Sequence, residues 1–271
     1  MIVFFTFLAG IGAGSLGAML GLGGGIFLVP ILNIGLGVPL DQTMAISLVT
    51  VIATSNFVSL ASAGRKFANV RLAMVLQTVS AVGAIAGTYI LDFITEPRTR
   101  EQVFGGTALL VTVVMLSRLN QRNVLPATVQ DVGVLGGRVE DPETGREVSY
   151  RLKRMPLAIG VAGGAGVIST LAGVGGGVLV VPALNAWCGV PMRVAAATSA
   201  VILGVTAIPG VIDNYARGNL TMPALAAGAV LGVLAGSRAG FWISSRVKVR
   251  SLKILMAVVL TIVAAEYLFF K

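Results

Sequence analysis

The first 64 residues of the chain carry one charged side chain, Asp41, and no lysine or arginine. Soluble domains contain about a quarter charged residues, because their surfaces must be hydrated. Over this whole chain the charged fraction is 11%, the hydrophobic fraction is 56% and the mean hydropathy is +0.92. The sequence therefore predicts a protein embedded in a lipid bilayer, and we expect it to cross the cell (inner) membrane several times.

Long apolar runs recur along the chain, and a helix needs roughly 20 residues to span a membrane. Eight runs approach that length, near 2–20, 42–63, 71–94, 101–117, 156–172, 194–215, 221–243 and 252–270. Two shorter apolar stretches, 26–38 and 178–190, each follow a glycine cluster. We therefore predict an all-α polytopic membrane protein with about eight long transmembrane helices and two short helices after glycine-rich breaks.

The segment 118–154 is polar enough to lie outside lipid. It separates an N-terminal membrane repeat, 1–117, from a C-terminal membrane repeat, 155–271. Within it, residues 137–140 and 146–150 flank the sequence Asp-Pro-Glu-Thr-Gly, in which Asp and Pro favour a turn and the glycine can take a positive φ. We predict a small β-hairpin in this central, cytoplasmic loop.

The strongest pattern in the chain is an internal repeat with a shift of 152 residues. Residues 21–39 and 173–191 are identical at eleven of nineteen aligned positions, and the alignment continues so that Ser47 matches Ser199. Interrupted apolar segments at corresponding places in two halves are a strong sequence indication of a transporter's binding site.

The basic residues indicate how the two halves lie in the membrane, because cytoplasmic loops retain lysine and arginine. With five crossings in each half, fifteen basic residues lie inside and four outside. With four crossings and a re-entrant short segment, the numbers become twelve and seven. Five crossings fit better, and an odd number makes the halves inverted repeats. The net charge of +9 is explained by this orientation, so we predict no nucleic-acid partner.

The glycine cluster 21–25 has four glycines in five residues, and each costs about 1 kcal/mol against alanine inside a helix. We therefore expect one helix to end near Leu20 and another to begin near Gly25. A helix start exposes main-chain N–H groups and the positive end of the helix dipole, which favours a small anionic substrate. The predicted substrate-binding residues are Gly23, Gly24, Gly25, Asn33, Ser47, Gly175, Gly176, Gly177, Asn185 and Ser199.

Other interpretations of these residues are open at this point. The glycine clusters are also typical of tight helix packing, and the serines and asparagines are typical of hydrogen bonds between membrane helices. The chain has no histidine and a single cysteine, Cys188, and it lacks the usual metalloprotease, hydrolase and P-loop motifs. We therefore predict no enzyme activity, no cofactor and no metal. The sequence leaves a homodimer open.

The paired Gly-x-Gly-Gly-Gly-x-x-x-Val-Pro-x-Leu elements at 21–32 and 173–184 resemble the TauE/SafE sulfite exporter family, also called the toluene sulfonate uptake permeases. The resemblance covers nearly the whole chain except 118–154. It implies a polytopic permease for sulfite, sulfonates and related sulfur-containing or organic anions. It also implies that substrate binds at Gly23–Gly25 with Asn33 and at Gly175–Gly177 with Asn185.

We therefore expect a secondary transporter that moves a sulfur oxyanion or organosulfonate by alternating access, with the two halves rocking about a site between the glycine clusters. The alternative is an anion channel of the same architecture, which the sequence does not separate from a carrier. A cation carrier usually places acidic residues at the membrane midplane, and the acidic residues of this chain lie at or near the ends of the apolar runs.

Overall fold

The structure is a computed structural model that describes residues 1–64, 67–94, 96–117, 133–141, 146–244, 247 and 249–270. Its helices are α1 (Ile2–Leu20), α2 (Gly25–Pro30), α3 (Leu40–Gly64), α4 (Val70–Leu91), α5 (Pro97–Ser117), α6 (Met155–Ala172), α7 (Gly177–Ala186), α8 (Met192–Ala216), α9 (Pro223–Ser244) and α10 (Val249–Ala265). Two π-helical segments, Ile31–Gly35 and Glu266–Phe270, continue α2 and α10, and two strands, β1 (Gly137–Asp141) and β2 (Arg146–Tyr150), lie between α5 and α6. The predicted all-α architecture and central hairpin are confirmed.

Six helices of the described chain are long and apolar enough to cross a membrane: α1, α3, α4, α6, α8 and α9. Each coincides within a few residues with a predicted apolar run. The runs 101–117 and 252–270 also form helices, α5 and α10, but neither is among these six. The chain is thus a multi-pass membrane protein, and a total of eight long spans stays a prediction.

Four glycines spaced four residues apart allow α9 to pack main chain to main chain against α1. A Cβ built at Gly232 would lie 2.1 Å from the Phe7 carbonyl oxygen, and one built at Gly236 would lie 2.1 Å from that of Ile11. Such distances are possible only because glycine has no side chain, as at other close helix crossings in membranes. The later glycine of α9 contacts the later residue of α1, so α1 and α9 run parallel.

A second parallel pair joins α4 to α6. A Cβ built at Gly83 would lie 2.1 Å from the Gly163 carbonyl oxygen, and one at Gly87 would lie 2.8 Å from that of Val167. The central helices α3 and α8 instead run antiparallel. A Cβ at Gly204 faces Ser55, whereas one at Gly210, later in α8, would lie 2.8 Å from Leu48, earlier in α3.

The hairpin is anchored to the membrane helices through Asn69, which caps α4. Strand β1 pairs antiparallel with β2, with Gly137 opposite Tyr150. The Asn69 side-chain amide donates to the Tyr150 hydroxyl at 2.9 Å, and the Asn69 main-chain N–H donates to Thr198 Oγ1 at 3.1 Å. Burial raises the pKa of Tyr150. The turn, 142–145, lies outside the described residues.

Candidate functional site

The first glycine cluster breaks the chain between α1 and α2. Helix α1 ends at Leu20, and Gly21 caps it with a left-handed φ of 71° and donates its N–H to the Gly17 carbonyl. Gly24, with φ of 75°, precedes the first residue of α2, Gly25. These left-handed angles are readily adopted only by glycine, and they turn the chain out of one helix and into the next. The predicted break is therefore present.

The second glycine cluster makes the corresponding break between α6 and α7. Helix α6 ends at Ala172 and is capped by Gly173, with φ of 65°, and Gly175 has φ of 78°. Gly176 precedes the first residue of α7, Gly177, and it has a right-handed φ of −65°. Residues 173–177 are all buried, as are residues 21–25. Both clusters therefore lie inside the protein.

The two breaks meet. A Cβ built at Gly25 would lie 3.2 Å from the main-chain oxygen of Val174, in the opposite cluster. Gly23 and Gly175 both face the same two side chains, Val51 of α3 and Leu203 of α8. Irregular main chain at membrane depth survives only where protein or a water-filled cavity surrounds it. Here each break is covered by the other break and by the two central helices.

Ser47 and Ser199 point at the first residues of the two short helices. A Cβ built at Gly25 would lie 2.5 Å from Ser47 Oγ, and one at Gly177 would lie 2.8 Å from Ser199 Oγ. Both serines are fully buried, and neither hydroxyl has a hydrogen-bond partner among the described residues. Buried polar groups in proteins are usually paired, so two equivalent unpaired hydroxyls need an explanation. Binding of a polar ligand at the breaks would supply it.

Asn33 and Asn185 lie away from the breaks, at the far ends of the short helices. The Asn33 side-chain amide donates to the Val38 carbonyl at 2.9 Å, and that of Asn185 donates to the Val190 carbonyl at 2.9 Å. Eight residues separate each asparagine from its helix start, which is about 12 Å along a helix. The structure thus gives both amides an equivalent local role, and substrate binding by them stays a prediction.

Val51 and Leu203 fill the space between the breaks, and neither is among the predicted site residues. A Cβ at Gly23 would lie 3.0 Å from Val51 and 3.3 Å from Leu203, and both side chains are fully buried. They match each other at the shift of 152, and each lies one helical turn after a site serine. Helical periodicity is the sequence signal that identifies them. In this conformation they seal the site.

The chemistry offered by this arrangement is hydrogen-bond donation to a ligand. Two helix starts provide main-chain N–H groups, and two serines provide hydroxyls, which together suit an oxygen-rich anion. Within the described ranges there is no group of three or more His, Cys, Asp or Glu side chains that could hold a metal ion. The breaks are therefore suited to binding an anion by contacts of this kind.

Comparisons with known proteins match almost the whole chain. Residues 6–267 match the family described as Sulfite exporter TauE/SafE. The chain is also 25% identical over 268 residues to the "Probable membrane transporter protein YunE" of Bacillus subtilis (strain 168), covering 96% of this chain and 95% of that protein. No solved structure matches the chain.

Proposed function

This chain belongs to the TauE/SafE sulfite exporter family, and from that premise we propose that it carries sulfite, or another sulfur oxyanion or organosulfonate, across the membrane. It is a multi-pass membrane protein of a transporter family and not an enzyme. The observation that carries the proposed site is the pair of unpaired, buried hydroxyls of Ser47 and Ser199 at the meeting point of two helix breaks.

The proposed ligand contacts follow from the physical chemistry of these groups. Ser47 and Ser199 donate to substrate oxygens, and the glycine main chain at 23–25 and 175–177 lets those oxygens approach the amides closely. Hydrogen bonds to charged groups contribute about 1.5–3 kcal/mol each, more than those between neutral groups. Hydrogen bonds to a negatively charged oxyanion therefore offset the free-energy cost of burying these donors more fully than hydrogen bonds to a neutral solute.

Helix directions support the inverted-repeat arrangement within this proposal. Helices α3 and α8 are equivalent at the shift of 152, and they run antiparallel. Four crossings in each half would point them the same way, whereas five crossings point them in opposite directions. The pairing of α1 with α9 and of α4 with α6 is also the exchange that a two-fold axis in the membrane plane produces.

Alternating access is the proposed mechanism because the described conformation is sealed at the site. Val51 and Leu203 close the space between the breaks, so substrate must enter after these side chains or their helices move. A carrier keeps its site closed to at least one side of the membrane at every point of its cycle. The alternative, an anion channel of the same architecture, requires a state with a continuous path across the membrane.

Flux into liposomes that contain the purified protein tests the proposed function. We expect uptake of sulfite, thiosulfate or an organosulfonate to saturate with concentration, and to speed up when the same anion is present on the opposite side. Acceleration from the opposite side distinguishes a carrier from a channel, because a channel has no site that must return. Protein-free liposomes are the control. No saturable flux of any anion tested contradicts the proposal.

A further inference from the structure

A pocket opens beside the breaks, at the ends of α1, α3, α8 and α9. We name it the inner vestibule and define it by Met19, Ser62, Phe67, Arg193, Ala196 and Phe241. It is small, with a cavity volume of about 30 Å³, and it is partly open to solvent. The predicted topology places it on the cytoplasmic side, because the basic sequences that follow α3 and α9 are predicted to be cytoplasmic.

We propose that the inner vestibule is a second, peripheral anion-binding site, at which Ser62 and Arg193 bind the substrate between the cytoplasm and the glycine breaks. This inference rests on the proposed function in that its ligand is the transported anion. It adds a binding site outside the breaks, one hydroxyl donor and one positive charge that hold the anion there, and the direction in which the described conformation is open.

Two polar groups make this pocket suitable for an anion. Ser62 is fully buried, and its hydroxyl has no hydrogen-bond partner among the described residues. Arg193 donates from Nη1 to the Ser244 carbonyl at 3.1 Å and from Nη2 to the Val247 carbonyl at 3.0 Å. Those bonds fix the guanidinium at the wall of the pocket, where its positive charge attracts an anion.

The inner vestibule lies next to the first glycine break. Ala196 lines the pocket, and a Cβ built at Gly21 would lie 2.5 Å from the Ala196 Cα. Gly21 caps α1 and is the first residue of the break. An anion held by Ser62 and Arg193 is therefore separated from the proposed site by one layer of small residues.

The equivalent place on the opposite face carries longer side chains. At the shift of 152, Met44 replaces Ala196, and a Cβ built at Gly173 would lie 2.5 Å from the Met44 Cβ. Asn214 replaces Ser62, donates to the Gly210 carbonyl at 2.9 Å and accepts from Asn219 at 3.0 Å. The outer counterpart of the vestibule thus holds a longer side chain at Met44 and a hydrogen-bonded one at Asn214.

An ion-pair cluster adds to the closure of the outer face. Arg217, at the end of α8, pairs with Asp213 at 2.8 Å and with Asp92, at the end of α4, at 2.5 Å. These carboxylates raise the pKa of Arg217, which stays charged at every physiological pH. Exposed pairs of this kind contribute little to stability, about 0–1 kcal/mol, so the cluster can open during a transport cycle.

Cysteine labelling tests whether the protein is open toward the cytoplasm, and it does not require transport to be measured. In a Cys188→Ala background, Ser62→Cys and its outer equivalent Asn214→Cys are exposed to a charged, membrane-impermeant thiol reagent in inside-out and right-side-out vesicles. We expect Ser62→Cys to react from the cytoplasmic side at least about tenfold faster than Asn214→Cys reacts from the outer side, the ratio for a 1.4 kcal/mol preference for the inward-open state. A ratio near one or below, or labelling of Ser62→Cys from the outer side alone, overturns the inference.

A second pair of positions guards against a variant that fails to fold. Ala197 lines the vestibule and its outer equivalent is Ala45, so Ala197→Cys and Ala45→Cys repeat the comparison with a small change in volume. The same labelling ratio is expected and the same outcomes overturn it. Because labelling is measured without an anion gradient, its failure is distinguishable from a failure of anion flux.

Flux through Arg193 variants tests the role of the charge. Arg193→Gln removes the positive charge and Arg193→Lys keeps it, while both lose the paired bonds to the two carbonyls. Because Arg193 binds the anion through its charge, we expect Arg193→Gln to raise KM for uptake from the cytoplasmic side by about tenfold, or 1.4 kcal/mol. We expect Arg193→Lys to leave KM within about threefold of wild type. Equal changes in both variants, alongside equal losses in Tm, assign Arg193 a structural role only and overturn its place in the site.

Discussion

Replacing both Ser47 and Ser199 with alanine is expected to abolish saturable anion flux without loss of stability. Each hydroxyl is proposed to donate to the anion, and hydrogen bonds to charged groups contribute about 1.5–3 kcal/mol each. Together they predict an affinity lower by roughly 10²–10⁴-fold. Burying a hydroxyl without a partner costs about 1–3 kcal/mol, so the alanine variants should be as stable as wild type or more stable.

The measurement is flux into liposomes together with Tm in detergent, made on the same preparations. Ser55→Ala is the matched control, because Ser55 lies in the same helix as Ser47, is equally buried and also lacks a partner among the described residues. Ser55→Ala should keep wild-type flux. Wild-type flux in the double variant would remove the serines from the site. A large fall in Tm would mean that they serve the fold.

Gly236→Ala is expected to destabilise the protein strongly, although it adds only one methyl group. The new Cβ would lie 2.1 Å from the Ile11 carbonyl oxygen and 2.8 Å from the Ile11 Cα. Both atoms belong to the main chain of α1, so no side-chain rotation relieves the contact and the helices must separate. Overpacking typically costs about 1–3 kcal/mol, and we expect the upper end or more. At roughly 2–4 °C per kcal/mol, Tm should fall by about 6–12 °C.

Gly12→Ala is the matched control for this variant. Gly12 lies in α1, and a Cβ built there meets nothing within 4 Å. Alanine is favoured over glycine in a helix by about 1 kcal/mol, so Tm should stay constant or rise slightly. The comparison is made by thermal unfolding in one detergent. Equal Tm values for the two variants would contradict the close α1–α9 packing.

Much of the architecture follows from local sequence. The apolar runs predict the helices because the bilayer requires about 20 apolar residues for each span. The glycine clusters predict where α1 and α6 end, since few other residues adopt the left-handed angles seen at Gly21 and Gly173. Ser47 and Ser199 are predictable because they match in the repeat, and the structure places both beside the breaks.

Other features depend on contacts between distant segments and are hidden from local patterns. Pro30 is followed by a π-helical segment, whereas its equivalent, Pro182, lies within the regular helix α7. Asn33 and Asn185 repeat as regularly as the serines, yet their amides bond to main-chain carbonyls within the same segment. Repetition thus marks positions that both halves need, whether for the fold or for the site.

The pairing of α1 with α9 and of α4 with α6 decides which parts of the protein can move as units. In each pair, main chain touches main chain through glycines, and one helix comes from each half of the sequence. Sliding one sequence half past the other would disrupt the α1–α9 and α4–α6 contacts at the same time. In the alternating-access cycle that we propose, the rigid bodies would therefore be composites of the N- and C-terminal halves, and not the two sequence halves that the repeat predicts. A fragment ending in the 118–154 loop would lack half of every such body.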